Sequence, residues 1–169
     1  HLLYKGLGYA EHAIQLINTP ECVISEGIAM LAEDIAFGSE GIEWVANILM
    51  PAAGLKIDPD VHRRVQQASR DMRAVASNAA LLLHRDERPE REVVQYLAHY
   101  GLMTDAEAAK RFSFISDPLW RPYIFTYSVG RQLLSAWLDA KPAEDRLPNF
   151  KRLLVEQITP SQILAQTEA

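Results

Sequence analysis

Apolar residues recur along this chain at helical spacing, and the two-residue alternation of a strand is almost absent. Leu3, Leu7, Ala10, Ile14 and Ile17 form one stripe and predict a helix over residues 2–18. Thr19-Pro20 breaks the stripe, and Pro20 suits the entry to a helix over 21–37. Gly38 ends that helix, Ser39 is placed to cap one over 40–50, and Pro51 stops it. Asp58-Pro59 joins a capping side chain to a first-turn proline and opens a long helix over 59–85. After the polar turn Arg85-Asp86-Glu87-Arg88, a helix runs from Pro89 to Gly101. Thr104-Asp105-Ala106-Glu107 is a capping box, and Asp117-Pro118 restarts the chain ahead of a helix over 121–140. Leu147-Pro148 and Thr159-Pro160 open two short final helices. About eight helices with short polar connections predict an all-α fold. Their varied lengths favour a compact orthogonal array over a simple bundle, in a single domain over 1–169.

Composition narrows the function classes. The 169 residues are 49% hydrophobic, enough for one real core, and no apolar run approaches the roughly 20 residues of a membrane helix. Net charge is -5, from 17 Lys+Arg against 22 Asp+Glu, with no basic block. Neither a nucleic acid nor a membrane is therefore an expected partner. The single cysteine, Cys22, excludes an internal disulfide and a multi-cysteine zinc cage. It reads as a buried inert thiol and fits a reducing, cytoplasmic setting. Residues 1–5 lack the basic-then-apolar layout of a secretory signal.

Candidate chemistry concentrates in two segments. In Glu21-Cys22-Val23-Ile24-Ser25-Glu26-Gly27-Ile28-Ala29-Met30-Leu31-Ala32-Glu33, Glu26 and Glu33 stand seven residues apart on one face of an apolar helix. Inward-facing acids cost desolvation energy unless a cation, a metal or strong hydrogen bonds compensate. A catalytic zinc needs three protein ligands, yet His12, His62, His84 and His99 are scattered singly and form no His-x3-His pair. Solvated or locally bonded side chains are the plainer reading of each. The second segment is Trp120-Arg121-Pro122-Tyr123-Ile124-Phe125-Thr126-Tyr127-Ser128-Val129-Gly130-Arg131. Tyr123 and Tyr127, four apart, are expected on one helical face, with Gly130 allowing close approach. Their phenols either donate to a developing oxyanion or serve as core aromatics with satisfied hydroxyls. Arg63, Arg64, Arg70 and Arg73 read as a solvated charged face.

Ser25-Glu26-Gly27-Ile28-Ala29, with Glu33 beyond it, resembles the third-ligand helix of α-helical zinc metallopeptidases of the gluzincin group. The likeness is greatest to a bacterial domain-of-unknown-function family whose members carry HExxPGHH, Glu-Gly-x-Ala and Tyr-x-x-Gly helices in that order. Tyr127-Ser128-Val129-Gly130 matches the third element. The resemblance implies Glu26 as a zinc-binding carboxylate and Glu33 as an acid supporting it. It implies Tyr127, helped by Tyr123 or Arg121, as the group stabilising a tetrahedral intermediate in peptide hydrolysis. The HExxH-type helix is absent from these residues. The chain is thus expected to be the C-terminal part of a longer protein, partnered by its own N-terminal portion. Alone it is expected to be inactive and to hold zinc poorly. The rival expectation is a non-catalytic helical module for ligand binding or dimerisation, which the apolar composition and three tryptophans fit equally well.

Overall fold

The computed structural model describes residues 2–14 and 16–168, and of Ser39 and Glu168 the backbone alone. The cap assigned to Ser39 lies outside the described residues. The fold is all-α: every regular element among the described residues is helical. None of these helices is long and apolar enough to cross a membrane. The chain divides into a terminal unit, His1–Ile35 with Phe125–Ala169, and a central unit, Ala36–Ile124.

The terminal unit begins with two short turns, Leu2–Gly6 and Ala10–Ala13, where a continuous helix over 2–18 is expected. Two glycines explain the difference. Gly6 and Gly8 each cost a helix about 1 kcal/mol relative to alanine, and Gly8 takes a left-handed φ of 77°. Leu7, Ile14 and Ile17 of the expected stripe are exposed. Helix α1, Pro20–Phe37, then follows as predicted.

Next in chain order comes a run of helical turns containing α2, Gly41–Trp44, and α3, Met50–Ala52. Pro51 does not stop this segment. The wider turn Val45–Leu49 precedes the proline, with the Met50 N–H reaching back to the Val45 carbonyl, and reversal comes at Gly54 with φ 73°. The expected long helix over 59–85 is two: α4, Pro59–Asp71, and α5, Val75–His84. No proline or glycine marks the break at 72–74. The Asp58 cap is present, accepting from the N–H groups of Asp60 at 2.8 Å and Val61 at 3.2 Å. Helices α6, Glu90–Tyr100, and α7, Asp105–Ser116, follow, the second opened by the Thr104/Glu107 capping box.

The C-terminal part of the terminal unit comprises α8, Ile124–Asp139, α9, Arg146–Val155, and α10, Pro160–Glu168. Thr159 and Gln162 exchange a capping box ahead of α10. Each unit buries its own core. In the terminal unit Ile24 and Leu31 of α1 pack with Leu134, Trp137 and Leu138 of α8, Phe150 and Leu153 of α9, and Ile163 of α10. Full burial of each such side chain contributes roughly 1.5–3 kcal/mol. The Trp137 indole N–H donates to the Gln166 side chain at 3.1 Å, so the largest core residue leaves no polar atom unsatisfied. The central unit buries Ala79, Ala80, Val93, Leu97, Ala108 and Ile115. There His84 Nε2 lies 2.7 Å from the Ile115 carbonyl oxygen, tying α5 to α7.

Candidate functional site

Helices α1 and α8 touch backbone to backbone, and the contact is made by the two glycines of the quoted motifs. A Cβ added at Gly130 would lie 2.3 Å from the Val23 carbonyl oxygen and 3.1 Å from Gly27 Cα. One added at Gly27 would lie 2.7 Å from both the Gly130 carbonyl oxygen and Leu134 Cδ1. No side chain fits at either position without moving a helix, and glycine's lower helix propensity is the cost of that approach. Arg131, the next residue on α8, closes the contact from the side. Its guanidinium donates to the Met30 carbonyl oxygen at 2.9 Å and to Asp34 Oδ2 at 3.0 Å. Val23, Gly27, Met30 and Asp34 follow one another at spacings of four and three along one face of α1, so a single ridge makes every one of these contacts.

Glu26 and Tyr127 flank this contact. Glu26 precedes Gly27 and so stands about 100° around α1 from it. Tyr127 lies one turn before Gly130, about 60° from it around α8. Both side chains are half-buried. Glu33 is exposed, contrary to its expected inward orientation, so no desolvation forces a counter-ion upon it.

Tyr123 and Arg121 belong to the central unit. Helix α8 begins at Ile124, so Tyr123 precedes the helix that was expected to align it with Tyr127. Its ring meets the edge of Trp120 at 5.7 Å, and Trp120 stacks on Phe114 at 5.7 Å. Tyr123 thus continues an aromatic row, the plainer of its two readings. Arg121 is exposed. Cys22 is buried, its Sγ 3.4 Å from the Leu16 carbonyl oxygen, as expected of an inert thiol.

Among the described residues no three His, Cys, Asp or Glu side chains come close enough to hold a metal ion. Glu26 offers a single carboxylate, so these residues by themselves do not fit zinc. The histidine readings divide. His62 bonds locally to Gln66 as expected, whereas His84 reaches Ile115 across 31 residues and His12 joins a network with Glu21 and Gln157. Nothing in the sequence announces that grouping, because His12 and Gln157 lie 145 residues apart. No protein-family profile, curated protein or solved structure matches this chain.

Proposed function

We propose that this chain is the helical C-terminal part of a gluzincin-like zinc metallopeptidase and carries half of its site. In this reading α1 offers the Glu26 carboxylate as one zinc ligand, and α8 offers the Tyr127 phenol as hydrogen-bond donor to the carbonyl oxygen of a scissile peptide. The remaining ligands and the general base come from an upstream portion of the same protein, and the peptide is the substrate. Glu33 supports the carboxylate from the exposed side of α1. The cytoplasm, a reducing compartment suited to a lone thiol, is the proposed location.

The supporting observation is the Gly27/Gly130 contact. It joins the Glu-Gly-x-Ala and Tyr-x-x-Gly motifs through the residues that make them motifs, and it prevents the two helices from sliding. A transition-state donor acts through preorganisation, which a backbone-to-backbone helix pair supplies. Tyr127→Phe, made in the protein expressed from its whole reading frame, is expected to lower kcat for peptide hydrolysis by about 10²-fold or more with KM little changed. Equal kcat for wild type and variant rejects Tyr127 as the donor.

A second reading, a non-catalytic ligand-binding module, is favoured by one specific observation: the terminal unit contains an apolar cavity that neither Glu26 nor Tyr127 lines.

A further inference from the structure

That cavity has a volume of about 360 Å³, within the range that small organic ligands occupy. Ile24 and Ile28 of α1, Leu153 and Leu154 of α9, and Ile158 beyond it form apolar walls. Glu11, His12, Glu21, Glu156 and Gln157 supply the polar side.

The hydrogen bonds there leave one consistent arrangement of protons. The Gln157 amide nitrogen carries only donors, and it donates to Glu11 Oε1 and to His12 Nε2, the latter at 3.0 Å. His12 Nε2 is therefore the acceptor of that bond, which leaves Nδ1 to carry an N–H. That N–H faces Glu21 Oε1 at 3.3 Å. The chain of donors runs from Gln157 through His12 to Glu21, with both outer ends carboxylates.

Charge is left over. No Lys or Arg is among the residues lining the cavity. Glu156 is matched by Arg152, which grips its two oxygens at 2.9 and 3.0 Å. Among the described residues, Glu11 is met by the Gln157 amide and Glu21 by the His12 imidazole. The Gln157 amide, with smaller help from a backbone N–H and from nearby His12, holds the Glu11 carboxyl below its ordinary value. Two carboxylates thus stand beside a hydrocarbon-walled hole whose lining includes no Lys or Arg. An anionic ligand is repelled from such a site, and an uncharged one leaves the carboxylates unmatched.

We infer that this cavity binds a small amphipathic cation, its primary ammonium between Glu11 and Glu21 and its hydrocarbon body against Ile24, Ile28, Leu153 and Ile158. An ammonium brings three donors to carboxylates that still have free lone pairs, and His12 and Gln157 set the carboxylates in place for it. The inference stands apart from the Glu26/Tyr127 reading, since the two share no residue.

Hexylammonium, 1-hexanol and hexanoate carry the same hydrocarbon with a positive, neutral and negative head, and they serve as probes. Titrated into the whole methyl-labelled chain and followed by NMR, hexylammonium is expected to shift the Ile24, Ile28 and Ile158 methyls saturably. It should bind about tenfold more tightly than hexanol, with hexanoate weakest. The double variant Glu11→Gln/Glu21→Gln should bring hexylammonium to within about twofold of hexanol. Should that variant not fold, Ile28→Trp tests the same site by filling the cavity, and a dispersed spectrum without methyl shifts is expected. The inference is overturned if hexanoate binds as tightly as hexylammonium. It is equally overturned if hexylammonium leaves these methyls unmoved in wild type, or if either variant binds it as wild type does.

Discussion

The terminal unit and the central unit are each stabilised internally, by different kinds of contact. In the central unit, order is local: Asp58 caps α4, Thr104 and Glu107 cap α7, and Asp117 accepts from the N–H groups of Leu119 and Trp120. In the terminal unit the decisive contacts span most of the chain. Gly27 meets Gly130, Arg131 reaches Asp34 across 97 residues, and Gln157 reaches Glu11 across 146. Both places where chemistry is proposed lie in the unit built from distant segments. Loop-closure entropy is paid once when α1 and α8 meet, and a close helix pair and an open cavity are obtained together.

The largest expected effect attacks that pairing. Gly130→Val places two methyls and a Cβ where the Val23 carbonyl already stands, at a cost of about 3 kcal/mol or more. Gly130→Ala recovers about 1 kcal/mol in helix propensity and is still expected to destabilise, because the clash is with backbone. Hydrogen exchange by mass spectrometry should show α1 and α8 losing protection in the valine variant while α6 and α7 keep theirs. Equal loss in both units breaks the comparison. Arg131→Met, which removes the bonds to Met30 and Asp34 but retains an aliphatic stem, is expected to cost about 1–2 kcal/mol in a denaturant titration.

Smaller effects belong to the central unit. Thr104→Ala should cost about 1 kcal/mol and raise exchange only in the first turns of α7. The smallest effect is a pH dependence at the same cap. The Glu107 carboxyl is held below its ordinary value of 4.5, first by the Thr104 backbone N–H and then by the Thr104 hydroxyl. Its folded-state value is depressed, so its contribution is fully present above the ordinary value and is lost as pH falls through the lower folded one. The first turn of α7 should therefore loosen as pH falls below the ordinary carboxyl value of 4.5, after correction for intrinsic exchange, and Glu107→Gln should remove that dependence.

The contrast between the units also explains what could be read from residues alone. The all-α class, α1, α6, the Thr104 box and the Asp58 cap were legible because each depends on neighbours within a turn. The stripe over 2–18 misled because its periodicity is genuine while Gly6 and Gly8 oppose it, and the apolar residues remain exposed. The break between α4 and α5 was invisible, with neither proline nor glycine to mark it. Glu26 and Tyr127 could be singled out as motif members, but their glycines were legible only as residues that permit close approach. That they approach each other is a tertiary fact. The grouping of Glu11, His12, Glu21 and Gln157 carries no sequence signal at all, since Glu11 and His12 lie in a short turn, Glu21 in the first turn of α1 and Gln157 in the connection between α9 and α10.

The central claim, that Glu26 is a metal-binding carboxylate presented by a glycine-locked helix pair, is tested most directly by counting zinc. The protein expressed from its whole reading frame, as wild type and as Glu26→Gln, should be analysed by inductively coupled plasma mass spectrometry after dialysis against metal-free buffer. The expected result is close to one zinc per wild-type chain and a large loss in the variant, with helical content unchanged. Equal zinc in the two proteins, or none in wild type, contradicts the claim and leaves the cation-binding cavity as the chemistry of this fold.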